Sequence, residues 1–211
     1  MRGTEMKYQA FKRFLDFILS LLALCALSPL LAAVAVAVKL DSKGPVFFRQ
    51  KRVGKDKTHF EMLKFRTMRT DTPKDMPTHL LENPDAFITK VGAFLRKTSL
   101  DELPQLINIL KGEMAIVGPR PALWNQFDLI EEREKYGANS IRPGLTGWAQ
   151  VNGRDELEIP VKAKFDGEYV RKMSLLFDLK CILKTVLGVL REDGVVEGGT
   201  GAMKEEKGAQ I

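Results

Sequence analysis

The sequence has few of the residues that build metal centres, disulfide frameworks and base-stacking surfaces: among 211 residues there are 2 Cys, 2 His, 2 Trp and 3 Tyr. His59 and His79 stand without cysteine partners, so the spacing of a zinc site is missing. Cys25 and Cys181 lie in apolar surroundings, which favours small buried thiols in a reducing compartment over a disulfide. The glycine patterns of P-loops and dinucleotide-binding folds are also missing.

The protein has a net charge of +6, and its small number of aromatic residues limits the kinds of anionic partner that this charge predicts. This charge predicts an anionic partner, either nucleic acid, a phospholipid surface or a phosphorylated substrate. No basic run is interleaved with aromatics, so stacking on bases has little support and nucleic acid is not expected as a partner. A basic nucleic-acid-binding protein is kept as a rival, to be tested by salt-sensitive DNA binding after removal of residues 1–40.

A charge-free run over residues 17–38 is long enough to cross the hydrocarbon core of a bilayer. Ser28-Pro29 lies in its middle, where proline removes a helix hydrogen bond and predicts a break, and Ser28 can bond a carbonyl that Pro29 frees. Basic residues flank both ends of the run, which favours a re-entrant helix that returns on the same side. A spanning helix and a soluble core helix are the alternatives.

Two adjacent carboxylates, Asp101 and Glu102, stand at the predicted start of a helix. Asp101 is placed to cap it, with Pro104 in the first turn. A single buried stripe is predicted at Leu103, Leu106, Ile107 and Leu110. Ser99 and Glu102 also fit a capping box that does no chemistry, and these residues alone leave that interpretation open. Together with nearby arginines and lysines, the pair suits magnesium-assisted chemistry on a diphosphate, in which one carboxylate attacks phosphorus.

Basic residues in strands and turns provide candidate anion contacts. Lys64 and Arg66 share one face of a predicted strand over residues 60–68, which marks a solvated edge or a diphosphate site. A short strand is predicted at 46–48, a loop over 70–86 and an exposed helix over 122–136. In the glycine- and proline-rich turns over 141–154, Arg142, Gln150 and Arg154 offer donors suited to phosphate or a base edge.

The last predicted helix begins after a Ser174 cap and ends at Arg191. Its broad apolar face packs on the core or lies in a membrane surface. Asp178 is the one acid inside it, and its simplest interpretation is an ion-pair partner of a lysine on the same helix. Residues 192–211 are rich in Gly and Glu and are predicted to be disordered.

These motifs together resemble the bacterial sugar transferase family, the monotopic phosphoglycosyl transferases that begin glycan assembly on polyprenyl phosphate. The resemblance covers about residues 10–191. The matching segments, in order, are Ser28-Pro29, 63–68, 96–105, 111–114, 117–121, 142–147, 150–154 and 174–180. Glu113 and Ala115 depart from the pattern, since the family often has Asp and Ser there.

The resemblance implies transfer of a sugar 1-phosphate from a UDP-sugar to undecaprenyl phosphate, with release of UMP. It implies that Asp101 forms a covalent phosphosugar intermediate and that Glu102 helps to hold Mg²⁺ or manages the proton. Lys64 and Asp178 complete the implied catalytic group. The implied or candidate phosphate and nucleotide contacts are Arg66, Arg96, Arg120, Arg142, Gln150 and Arg154.

The expected fold is a mixed, mostly helical α/β protein. Residues 1–40 would form the re-entrant membrane helix, 41–191 a cytoplasmic catalytic domain with amphipathic interfacial helices, and 192–211 a tail. The resemblance implies the minimal form of the family on the cytoplasmic face of the bacterial inner membrane, acting first in exopolysaccharide, lipopolysaccharide or capsule assembly. Downstream glycosyltransferases are expected partners, and homo-oligomerisation is left open. A catalytically silent membrane adaptor is the rival, because it would not need both carboxylates.

Overall fold

A computed structural model describes residues 3–72, 86–153 and 157–190, apart from the side chains of residues 3–7 and 190. The predicted mixed, mostly helical architecture is confirmed. The helices are α1 (Gly3–Asp41), α2 (Lys90–Lys97), α3 (Gln105–Lys111), α4 (Phe127–Glu134), α5 (Ile159–Lys172) and α6 (Leu175–Leu190). The strands are β1 (Phe47–Val53), β2 (His59–Phe65), β3 (Ala115–Val117) and β4 (Gly144–Thr146). The predicted tail and most of the predicted loop over 70–86 lie outside the described residues.

The long N-terminal helix α1 is helical on both sides of Ser28-Pro29, and the predicted change in its direction there stays a prediction. Pro29 has no N–H to donate to the carbonyl of Cys25, four residues earlier. The Ser28 hydroxyl donates to that carbonyl instead, at 2.8 Å. The predicted role of Ser28 is therefore confirmed, and its hydrogen bond explains how the helix tolerates the proline.

Helix α1 is attached to the rest of the fold near both of its ends. Arg13 donates to the carbonyls of Ile109 and Leu110 at the end of α3, at 2.6 and 2.8 Å. Near the other end, the Asp41 carboxylate accepts a hydrogen bond from Val91 N at 3.0 Å. Between these points, Val34 and Val38 pack in a buried cluster with Phe65 and Leu95. Helix α1 therefore lies along the rest of the fold.

The segment Tyr8–Asp41 of α1 is long and apolar enough to cross a membrane. Only 11% of its apolar window is buried inside the fold, which disfavours the alternative of a soluble core helix. Helix α6 also presents large apolar side chains to the outside. The exposed residues include Phe11, Phe14, Phe17, Leu22 and Val36 on α1, and Leu175, Leu176, Leu179, Leu183, Val186 and Leu187 on α6. These two faces are candidates for contact with lipid.

Two small sheets form the frame of the fold. Strands β1 and β2 are antiparallel, with Phe48 opposite Lys64, and β3 lies parallel to β4. After β3, the backbone of Gly118 approaches β4 so closely that a Cβ atom there would lie 2.5 Å from the carbonyl oxygen of Arg142. Only glycine fits this approach, which fixes the start of the turn that follows β3.

The helix after the carboxylate pair differs from its prediction. Asp101 does not cap α3, because it lies in a separate 3-10 turn (Leu100–Glu102) and α3 begins after Pro104. The single apolar stripe is also wrong: Gln105, Leu106, Asn108 and Ile109 are buried, whereas Ile107 and Leu110 are half-buried. The reason is that α3 packs against both β2 and α1, so it buries more than one stripe.

Two other predicted helices, over 122–136 and after Ser174, are present in the structure. The exposed helix predicted over 122–136 is found as the shorter α4, and the last predicted helix is found as α6. Ser174 accepts a hydrogen bond from Phe177 N at 3.3 Å, which confirms its role as a cap. Helix α5 was not predicted. It places Asp166 against Arg133 of α4 in a buried ion pair of 2.7 Å.

Candidate active site

The Glu102 carboxylate is held between two cations that come from different parts of the fold. Lys64 of β2 lies 2.8 Å from Glu102 Oε1, and Arg120, after β3, donates to the same oxygen at 2.7 Å. A second Arg120 nitrogen lies 3.4 Å from Oε2. Three residues from the sequence prediction, Lys64, Glu102 and Arg120, are therefore brought together.

The capping-box interpretation of this segment is wrong. Ser99 precedes the 3-10 turn, and its side chain makes no capping hydrogen bond. Its backbone adopts the left-handed conformation (φ 55°), which is uncommon for a residue with a Cβ atom and costs about 1–2 kcal/mol. Glu102 bonds to Lys64 and Arg120 instead of capping the turn. The strained backbone of Ser99 thus lies directly before the segment in which Glu102 pairs with Lys64 and Arg120.

Asp101 lies beside this ion-pair cluster, but its own carboxylate is almost unpartnered. The residue is 5% exposed, and Lys64 Nζ lies 3.8 Å from Asp101 Oδ2. Within the described part of the chain, no side chain or backbone group donates a hydrogen bond to this carboxylate. Burial raises the pKa of Asp101, the charge on Lys64 opposes that rise, and the charge on Glu102 adds to it.

The neighbouring Glu102 has the opposite electrostatic balance. Burial disfavours its charged form, but Arg120 and Lys64 outweigh burial and lower the pKa of Glu102. Glu102 is therefore a permanent anion that holds two cations in place. Asp101 is the carboxylate that is left with oxygens able to react or to bind an ion.

Strand β1 supports both of the cations that hold Glu102. It pairs with β2, which carries Lys64, and its last residue, Val53, donates from N to the carbonyl of Ala122 at 2.9 Å. Arg52 donates to the carbonyl of Pro121, also at 2.9 Å. These bonds fix the segment that directly follows Arg120. The sequence analysis assigned no role to Arg52, because the short strand predicted at 46–48 ends before this residue.

The remaining predicted arginines in this region have different positions. Arg96 borders the cluster: its charge lowers the pKa of Asp101, and it donates to Thr67 Oγ1 at 3.4 Å. Arg66 is 5% exposed and is not brought to the cluster. It donates to the backbone carbonyls of Val38 and Ser42, at 3.3 and 2.7 Å, near the end of α1. The prediction that Arg66 shares a strand face with Lys64 is wrong, because β2 ends at Phe65. The alternation of side chains along the strand therefore does not extend to Arg66.

The residues predicted to line the nucleotide side show no contact with the carboxylate pair among the described contacts. Arg142 donates to the carbonyl of Gly112 at 2.8 Å and lines a small cavity beside Lys12, Arg13 and Asp16 of α1. Gln150 donates to the carbonyl of Leu145 at 3.0 Å. Arg154 lies outside the described residues. The structure therefore gives Arg142 and Gln150 no shared site.

Asp178 lies in a second buried cluster, separate from the carboxylate pair. Its Oδ2 accepts hydrogen bonds from Lys12 at 2.7 Å and Tyr8 at 2.9 Å, and its Oδ1 accepts one from Tyr169 at 2.7 Å. None of these partners belongs to the Asp101 cluster. The simple interpretation, a lysine on the same helix, is also wrong, because Lys12 is 166 residues away in sequence. No local pattern could have identified this pair.

The carboxylates of Asp101 and Glu102 are the candidate ligands for Mg²⁺. The described residues contain no group of three or more His, Cys, Asp or Glu able to hold a metal by themselves. Mg²⁺ in phosphoryl-transfer sites is commonly held by one or two carboxylates, with phosphate oxygens and water as the other ligands. Asp101 can supply such an oxygen, and Glu102 lies next to it. The donor set fits an ion that arrives with a diphosphate.

Comparisons with known proteins give a consistent result. The family model described as bacterial sugar transferase matches residues 7–192. A UDP-glucose:undecaprenyl-phosphate glucose-1-phosphate transferase of Escherichia coli is 46% identical over 83% of this chain and 39% of its own length. The exopolysaccharide production protein ExoY of Sinorhizobium fredii is 39% identical over 87% of both chains. An undecaprenyl-phosphate glucose phosphotransferase of Komagataeibacter xylinus is 43% identical over 83% of this chain and 35% of its own length. The chain thus spans well under half of two of these relatives.

Proposed function

Because the chain belongs to the bacterial sugar transferase family, we propose that it transfers a sugar 1-phosphate from a UDP-sugar to undecaprenyl phosphate and releases UMP. The names of the relatives support this reaction, with UDP-glucose as the first donor to test. The observation that carries the proposal is the buried Asp101 carboxylate, which accepts no hydrogen bond from the described residues and lies beside fixed cations. A silent adaptor would not need this arrangement.

In the first step, an oxygen of Asp101 attacks the phosphorus that carries the sugar. The bond from that phosphorus to the bridging oxygen of the diphosphate breaks, and UMP leaves with this oxygen. The product is a phosphosugar joined to Asp101 through an acyl phosphate bond. Lys64 and Arg120 stand where negative charge gathers on the transferring oxygens, and fixed cations stabilise such charge without reorganisation.

In the second step, a phosphate oxygen of undecaprenyl phosphate attacks the same phosphorus. The acyl phosphate bond breaks, Asp101 leaves as a carboxylate, and the sugar is now linked to the lipid through a diphosphate. The two steps together exchange UMP for the lipid phosphate and regenerate the enzyme. Glu102 contributes by holding Lys64 and Arg120 in position throughout.

Mg²⁺ is the proposed cofactor, held by Asp101, by Glu102 Oε2, whose contact with Arg120 is the longer one at 3.4 Å, and by the diphosphate of the donor. When bound, it would neutralise charge on the diphosphate and on the leaving UMP. The protein's own share is the positive charge of Lys64, which favours the ionised form of Asp101, and the burial that keeps bulk water away from it. Removal of divalent ions with a chelator should stop UMP release and leave the fold intact.

The attachment of α1 supports membrane insertion from one side. A helix that crosses a bilayer places its ends on opposite faces, but Arg13 of α1 bonds to α3 and Asp41 of α1 bonds to α2, and both of these helices follow α1 in the same folded chain. We therefore place the site at the cytoplasmic face of the inner membrane, with α1 entering one leaflet and the apolar face of α6 lying in the interface. Single cysteines introduced at positions 5 and 42 test this, because labelling from opposite sides would contradict it.

Two measurements test the reaction. UMP release is followed with a panel of UDP-sugars, undecaprenyl phosphate and magnesium, with UDP-glucose first. The protein is also incubated with donor alone and weighed, and a mass increase of one phosphosugar on the peptide that contains Asp101 is expected. Unchanged UMP release in both Asp101→Asn and Glu102→Gln would favour the adaptor.

A further inference from the structure

An apolar groove of about 230 Å³ opens between α1, the β1–β2 hairpin and the start of α3. Its walls are entirely apolar side chains: Leu24, Leu31, Ala32 and Ala35 from α1, Phe47 and Phe65 from the hairpin, and Pro104 and Ile107 from the α3 region. An apolar cavity of about 150 Å³ stays dry and accepts a molecule as large as benzene. This groove therefore has room for a branched hydrocarbon segment.

The groove lies next to the carboxylate cluster along the chain. Pro104, at its end, follows Asp101 by three residues, about one helical turn. Phe65 directly follows Lys64 on β2, so the two side chains leave opposite faces of the strand. Lys64 points to Glu102, whereas the Phe65 ring stacks on Phe47 with 5.5 Å between the ring centroids. The groove and the carboxylate cluster therefore lie on opposite faces of β2 at its last two residues, and Pro104 links the groove to the segment that carries Asp101.

We propose that this groove binds the first isoprene units of the polyprenyl phosphate acceptor. This inference rests on the proposed function, in which the acceptor phosphate must reach the phosphorus held by Asp101. The hydrocarbon chain is attached directly to that phosphate, so its first units must lie within a few ångströms of the carboxylate pair. The groove offers an apolar surface that begins three residues after Asp101 in sequence, and α1, which forms one wall, is the helix that we propose enters the membrane.

Alanines in the α1 wall keep the groove open. Ala32 and Ala35 are three residues apart on α1, so they lie on the same face of the helix, opposite the hairpin. Ala32 is exposed, so a larger side chain there can enter the groove without disturbing the buried core. Ala33 is also exposed but does not line the groove. These neighbouring alanines provide a matched pair of test positions.

The experiment compares Ala32→Phe with Ala33→Phe in the full chain, reconstituted in detergent with magnesium. The KM for undecaprenyl phosphate is expected to rise by about tenfold or more in Ala32→Phe and to change little in Ala33→Phe. Formation of the phosphosugar adduct from donor alone should be unchanged in both variants, because that step does not use the acceptor. Equal KM values in the two variants, or a loss of the adduct in Ala32→Phe, would overturn the groove assignment.

A direct binding measurement separates this proposal from the proposed function. A polyprenyl phosphate with a photoreactive group in its first isoprene units should crosslink to peptides that contain residues 31–35 or 104–107. Competition by undecaprenyl phosphate but not by an equal amount of phosphatidylglycerol supports the proposal. Crosslinks only elsewhere, or equal competition by both lipids, would overturn it. If the wild-type protein releases no UMP, the reaction fails while this binding result still decides the groove.

Discussion

The two buried aspartates of this protein, Asp101 and Asp178, are almost equally shielded from solvent, with 5% and 6% exposure, and differ in their partners. Asp178 accepts hydrogen bonds from Tyr8, Lys12 and Tyr169 and so joins α1, α5 and α6. Among the described residues, the cation paired with Asp101 is Lys64, at 3.8 Å, and no donor hydrogen-bonds to the Asp101 carboxylate. A buried carboxylate with all its oxygens bonded stabilises a fold, whereas one with unused oxygens beside fixed cations is suited to react.

The largest effect should come from Asp101→Asn. An amide does not supply the carboxylate nucleophile, so we expect the phosphosugar adduct to disappear and UMP release to fall by about 10⁴-fold. Thermal stability should stay the same or rise, because burial of this charge disfavours ionisation. The measurements are intact mass with donor alone, UMP release and a thermal melt. Retained adduct formation would contradict the assignment of Asp101.

Asp178→Asn should give the opposite result. It removes the closer of the two carboxylates that pair with the buried Lys12 in the described residues and leaves Asp16 at 3.4 Å, so we expect a loss of about 1.5–3 kcal/mol in the free energy of unfolding. Adduct formation per folded molecule should stay within about tenfold of the wild type, because none of the bonds of Asp178 reaches the Asp101 cluster. Asp166→Asn, which breaks the buried pair with Arg133, is the matched structural control. A loss of chemistry without a loss of stability would support the catalytic role that the family resemblance implies for Asp178.

The pH dependence of adduct formation tests the charge balance at Asp101. Only the ionised carboxylate attacks, so the rate falls as pH drops through the pKa of Asp101, which burial has raised above its ordinary value. Lys64 favours the anion, so Lys64→Met should raise this pKa further and move the acid limb to higher pH. Lys51→Met, which removes a lysine that lies over Trp124, is the control and should leave the limb in place. An unmoved limb in Lys64→Met would contradict the electrostatic assignment.

The smallest effect is expected from Tyr8→Phe. It removes one of the three donors to Asp178 and leaves Lys12 and Tyr169 in place. We expect a loss of about 0.5–1.5 kcal/mol in the free energy of unfolding and no change in UMP release. A denaturant titration of the two proteins measures this difference. A loss above that of Asp178→Asn would show that the Asp178 cluster depends on the tyrosine more than on the ion pair.

The parts of the site that depend on local sequence patterns could be predicted from the sequence. The adjacent carboxylates, the strand that carries Lys64 and the glycine–proline turn before Arg120 were predicted, and the structure joins them. Arg66 failed because the predicted strand was too long by a few residues. The ion-pair partner of Asp178 was predicted wrongly because it comes from the far end of the chain, and a pair between distant segments leaves no signal in either segment. The apolar periodicity of α3 predicted one buried stripe, but α3 packs against both β2 and α1 and therefore buries more than one side.

The Ser28 hydrogen bond to the carbonyl of Cys25 restricts the order in which this stretch of α1 can change. In the lipid environment that we propose for α1, losing the hydroxyl first leaves a carbonyl without a donor, which is a costly intermediate. Replacing Pro29 by alanine first restores the backbone N–H, and the serine then becomes dispensable. The effect of a substitution at Ser28 therefore depends on whether Pro29 is present. The less destabilising order replaces Pro29 first and Ser28 second.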